Sequence, residues 1–235
     1  MDTSTGQWEE NRIGSLLQER DGHAAVTLDQ GVFVFGGYGS SSAGTTTELL
    51  RAGSSSWEQG PTIPVPMEYG PCAVAISRTS FLAIYKREIR EFDTIIAGPT
   101  SSQGWREEGW WPKMEPNMYF WPGCAKLGNK IIIAGGYYRS TTQTTEILDL
   151  TSRTISKGGN LVTPRKYFHM ITFDNNGDST TLALGGEDDD YNVLKSVERW
   201  NPETATWSEV EDQLEEKRYY FGLVAAPKNL ICLSK

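Results

Sequence analysis

The chain has two histidines, His23 and His169, each just before a short apolar run. Imidazole suits metal ligation or acid–base work near neutral pH. Both occupy the same place in a repeat, which assigns them to the scaffold rather than to one paired site. Asp174, Asn176 and Asp178 have calcium-loop spacing, but the sixth position is Ser179 and the twelfth is Gly185, where such a loop needs Gly and Glu. Asn176-Gly177 reads instead as a hairpin turn. The stretch GGYGSSSAGTTT (36–47) has no Gly-Lys-Ser/Thr and is not a phosphate loop. The run Glu187–Asp190 is a solvated acidic loop, with contact to a basic partner as the alternative. No metal site, cofactor or catalytic group is expected.

These residues hang on a repeat. Glycine pairs end three apolar runs: VFVFGG, IIIAGG and TLALGG, with pairs at 36–37, 135–136 and 185–186. A Glu-led segment follows each, in TTELLRAG, TTEILDLT and SVERWNPE. Next come large anchors. Trp8, Trp57, Trp105, Ile155 and Trp207 are spaced 49, 48, 50 and 52 residues apart. A period near 50 residues with a glycine pair per unit resembles the kelch repeat.

The resemblance covers nearly the whole chain and implies an all-β fold, a kelch-type β-propeller of four-stranded blades. Four to five blades are represented in one domain, with repeats near 20–64, 67–115, 118–163 and 165–216. Residues 1–12 end one blade and 218–235 begin another. The family's usual six or seven blades imply a partial propeller; a closed five-bladed ring is the alternative. The small apolar segments AAVTL, CAVAI, CAKL, MITF and LVAA are expected as inner strands and the Trp segments as outer ones. The second unit departs from the pattern: FLAIYKREIREFD lacks a glycine pair, and a longer loop precedes Trp105.

The loops entering the inner strands read QERDGH, MEYGP, MYFWP, PRKYFH and KRYYFG. In the kelch family such loops share one rim with those after the glycine pairs. The resemblance therefore places Tyr119, Arg165, Lys166, Tyr167, Arg218 and Tyr219 on that rim with Tyr137 and Arg139. Tyr and Arg are enriched at binding hot spots, and the cations suit an acidic or phosphorylated peptide.

Lys and Arg number 22 against 30 Asp and Glu, a net charge of −8. That balance disfavours nucleic acid and anionic membranes as partners, and no apolar run approaches the roughly 18 residues of a membrane helix. Three cysteines and no glycosylation sequon point to a reducing cytoplasm without disulfides. A missing N-terminal leader would make the chain secreted. The expected function is non-enzymatic: a protein or peptide is bound on the rim, as in a cullin-ligase substrate adaptor or an actin scaffold. A carbohydrate-active enzyme, mutarotase or galactose-oxidase-like, is the alternative. The galactose-oxidase copper site needs histidines, tyrosines and a cross-linked cysteine converging on one metal, and only two histidines are present.

Overall fold

A computed structural model describes residues 13–39, 42–96, 104–115, 120–175 and 178–223. They form four antiparallel blade sheets, each built in chain order from the inside out, and two short ribbons, Arg20–Asp21 with Tyr38–Gly39 and Tyr137–Tyr138 with Ser140–Thr141. The first blade runs Ala24–Leu28, Gly31–Phe35, Thr47–Arg51 and Trp57–Gln59. The second runs Cys72–Ala75, Ser80–Tyr85 and Glu88–Asp93, with Trp105 bridged to Phe92 as its outer edge. The third is Gly123–Leu127, Lys130–Ala134, Thr145–Asp149 and Thr154–Lys157. The fourth is His169–Asn175, Asp178–Leu184, Val197–Asn201 and Thr206–Glu209. No helix among the described residues is long and apolar enough to cross a membrane.

The second strands of the first three blades are largely apolar, in GVFVF, SFLAIY and KIIIA, because both of their faces are covered. Side chains of a strand alternate between faces, and here the faces meet different neighbours. Phe81, Ala83 and Tyr85 pack on Phe33 and Phe35 of the first blade. Leu82 and Ile84, one residue out of phase, pack on Ile131 and Ile133 of the third. Ile132 and Ala134 then meet Ala183, Trp200 and Trp207 of the fourth. No blade buries both faces alone, so adjacent repeats complete each other.

The glycine pairs fasten this stack. Gly36, Gly135 and Gly185 have φ of 66°, 63° and 61°, where a side chain is strained. A Cβ on them would lie 2.6, 2.6 and 2.5 Å from the carbonyl oxygens of Met67, Arg165 and Arg218 in the following unit. The next glycine's N–H donates to those same carbonyls, from Gly37 at 2.8 Å, Gly136 at 2.8 Å and Gly186 at 2.7 Å. The second blade replaces this device with a two-residue turn at Lys86-Arg87, Lys86 taking φ 54°. It therefore projects no long loop between its second and third strands.

The repeated glutamates have a structural task. Glu48, Glu91, Glu146 and Glu198 are all buried on the third strands. Glu48 accepts the N–H groups of Leu17 (2.6 Å) and Gln18 (3.1 Å). Glu198 accepts those of Val162 (2.7 Å) and Thr163 (3.0 Å), and Glu146 that of Glu115 (2.9 Å). Each carboxylate thus ties down the strap arriving from the preceding unit. Glu91 instead takes the indole N–H groups of Trp110 and Trp111, each at 3.0 Å.

Two expectations are corrected. Cys72 and Cys124 are joined by a disulfide, with Cα atoms 6.1 Å apart. Inner strands of adjacent blades converge towards the axis, which brings near-equivalent positions into bonding range. The histidines are also offset by one residue. His169 opens its strand opposite Leu184, whereas His23 precedes Ala24, the residue opposite Phe35. Trp8, Cys232 and the expected inner strand from Leu223 to Ala226 lie outside the described residues, apart from Leu223 itself.

Candidate functional site: the mouth of the central channel

The starts of the inner strands surround a cavity of about 480 Å³. Residues from all five units line it: Arg20–Ala25, Gly70–Ala73, Trp121–Cys124, Tyr167–Met170 and Tyr220–Leu223. One backbone feature recurs at its mouth. Gly22, Gly70, Trp121, Tyr167 and Tyr220 have φ of 61°, 57°, 52°, 57° and 50°. All five are left-handed, and Gly22, Gly70, Trp121 and Tyr167 each stand two residues before the first residue of an inner strand. Glycine adopts that conformation without strain and a bulky residue does not. Two units use glycine; three place a large ring there.

Those rings form an arc. Trp121 and Tyr167 have centroids 4.5 Å apart, and Tyr167 stacks on Tyr220 at 4.0 Å. Tyr69 continues the arc at 6.0 Å from Trp121, and Tyr38 stacks on Tyr69 at 6.2 Å. A Cβ on Gly70 would collide with the Trp121 indole, so glycine there makes room for the ring. Tyr220 remains 51% exposed, so its ring is open to a ligand. Burial pushes its phenol well above the usual tyrosine range, helped by its hydrogen bond to Tyr167 and by the charges of Asp21 and Glu187.

The described rim residues separate into three groups, with Tyr119 apart from them. Tyr167, Tyr219 and Tyr137 come together: Tyr219 lies 6.5 Å from Tyr167, and Tyr137 lies 6.3 Å from Trp121. Arg139 and Arg218 are exposed outside the cavity lining, Arg139 over the Tyr138 ring at 5.4 Å. Tyr119 lies outside the described residues. Arg165 is not available at the rim. Its side chain is 0% exposed; it donates to the Gly185 carbonyl at 2.7 Å and to Glu198 Oε1 at 2.5 Å. Arg20 does the same in the first blade, to Gly36 O and Glu48 Oε1, both at 2.7 Å. A cation this deep needs a paired carboxylate, and the repeated third-strand glutamate supplies it. Lys166 is buried too, 3.2 Å from Glu187.

The acidic loop therefore folds back on the basic one. Lys166 and Glu187 exchange backbone hydrogen bonds at 3.0 and 2.9 Å, and Asp189 accepts the Thr141 N–H at 2.8 Å. His23 and His169 both line the cavity. Its walls desolvate the imidazolium, which lowers both pKa values; the charge of Arg20 lowers that of His23 further. No cluster of metal-ligating side chains is found among the described residues.

Sequence reading passed over Trp121, Tyr220 and Tyr69, although all three stand in the quoted loops. The available signal was partial: Trp121, Tyr167 and Tyr220 each stand three residues before CAKL, MITF and LVAA, whereas Gly22 and Gly70 stand two before AAVTL and CAVAI.

Residues 177–212 match the kelch motif. The chain carries a kelch motif there. The matched span holds the second, third and outer strands of the fourth blade, and the other blades repeat that architecture. The fold is accordingly an all-β, kelch-type propeller. Kelch repeats as a class mediate protein–protein interaction. No curated protein matches the chain.

Proposed function

We propose that the chain is a non-catalytic binding module that takes a protein or peptide partner at the channel mouth, on the arc Trp121–Tyr167–Tyr220. The observation that carries this is the strain. Three bulky rings occupy a left-handed position that costs each of order 1–3 kcal/mol, where two other units use glycine. Strain of that kind persists where function requires the side chain. Large aromatics with exposed faces are the usual anchors of binding hot spots. The test is capture of partners from an extract by the whole chain and by Trp121→Gly and Tyr220→Gly, each first shown to melt cooperatively. Partners lost from both variants support the mouth as the binding face. Partners retained by both refute it.

The disulfide bears on the compartment. A Cys72–Cys124 bond persists where thiols are oxidised. It supports a secreted or luminal module, and it argues against the cullin-adaptor and actin-scaffold versions, which work in a reducing cytosol. Thiol titration of protein from an oxidising host, with and without reductant, tests this; two additional thiols on reduction are expected. A carbohydrate-active enzyme is the second reading, favoured by His23 and His169 in the cavity wall. Sugar turnover abolished by His169→Ala would establish it.

A further inference from the structure

The cavity has one uncompensated charge. Among the described residues lining it, Arg20 and Asp21 are the only Arg, Lys, Asp or Glu side chains. Arg20 is neutralised by Glu48. Asp21 is exposed beside Gly22 and has no ion pair among the described residues. It lines the same cavity as Tyr220 and Tyr167. The mouth therefore combines stacked ring faces with a free carboxylate. Asp21 is the cross-strand partner of Tyr38, the ring that stacks on Tyr69.

The same rim contains a small version of this chemistry, already filled. The Lys166 ammonium sits 4.9 Å from the Tyr137 centroid, 5.0 Å from Tyr191 and 5.4 Å from Tyr167, with Glu187 at 3.2 Å. Ring faces attract a cation through their quadrupole, and a carboxylate adds a direct counter-charge.

We propose that the channel mouth receives a lysine or arginine side chain of the partner, its cation seated against Tyr220 and Tyr167 and facing Asp21. This rests on the partner-binding reading of the mouth given above. It also reverses the partner polarity that the sequence suggests. Arg165 and Lys166 looked like receptors for an acidic peptide, but Glu198 and Glu187 have taken both.

The experiment selects a display library of random short peptides on the intact chain, then measures the enriched peptides against wild type, Asp21→Asn and Tyr220→Gly. Enriched peptides should carry Lys or Arg. Changing that residue to Gln should weaken binding about ten-fold. Asp21→Asn should weaken the same peptides by a similar factor. Acidic or uncharged peptides that bind through Tyr220 but ignore Asp21→Asn would overturn the cation assignment and leave the mouth as the binding face. Enrichment unaffected by Tyr220→Gly, or no enrichment at all, would overturn both readings.

Discussion

At the scale of the residue, charge and exposure part company. Arg165 and Arg218 stand at corresponding points of PRKYFH and KRYYFG, yet one is sealed against Glu198 and the other is in solvent. Nothing local in the sequence separates them. Glu198 lies 33 residues further on and enters the argument only when the blade is folded. Replacing Arg165 by Ala leaves a buried carboxylate without its cation, so about 3–5 kcal/mol of stability should be lost. Arg218→Ala should leave the denaturation midpoint almost unchanged, because exposed charges contribute little. Equal midpoints for the two variants would contradict the buried pair. Tyr220→Gly exchanges relief of left-handed strain for loss of a stacked ring. Its midpoint should stay within about 1 kcal/mol of wild type, so loss of binding would not be a folding defect.

Among the elements, the third strands make the clearest comparison. Their glutamates were legible as a repeated letter; their task was not, because the amides they hold belong to straps of the preceding unit. Glu48 and Glu198 have an arginine, whereas Glu146 Oε2 is buried with no hydrogen-bond partner among the described residues. Burial raises the Glu146 pKa; Glu115 adds to this, while its amide, Lys157 and Arg87 offset part of it. A carboxyl whose pKa is raised on folding favours the folded state below the ordinary carboxylate range, and that contribution is lost as pH rises through the raised value. Glu146→Gln should therefore match wild type near about pH 4 and be the more stable of the two near about pH 7. A constant difference across that range would refute the assignment. The outer strands were read from their Trp anchors. Trp207 is buried and donates to Thr145 Oγ1 at 3.0 Å, so Trp207→Ala should cost about 3–5 kcal/mol by chemical denaturation. Trp57 is half-buried and should cost less.

For the whole molecule, the period near 50 residues made the propeller legible, since each unit repeats the same four-strand pattern. The disulfide was hidden by counting: three cysteines looked odd and sparse. Spacing would have revealed it, because Cys72 and Cys124 are 52 residues apart, one repeat, and so fall on adjacent inner strands. Closing a loop of that size should stabilise the fold by about 4 kcal/mol in the chain-entropy account. Reduction should lower the melting temperature by several degrees, and Cys72→Ser should reproduce the shift without reductant. A reduced protein that melts with the oxidised one would show that the bond carries no part of the stability.

The ties between units also have a direction. Gly37, Gly136 and Gly186 donate forwards, to Met67, Arg165 and Arg218, whereas Glu48, Glu146 and Glu198 reach backwards, to Leu17, Glu115 and Val162. A ribosome delivers the chain from one end, and domains assemble as they emerge. Each newly emerged blade finds its backward partner already present, while its forward donor waits for residues still in the tunnel. Gly136 waits for Arg165, which emerges with the loop that also brings Tyr167 to the mouth.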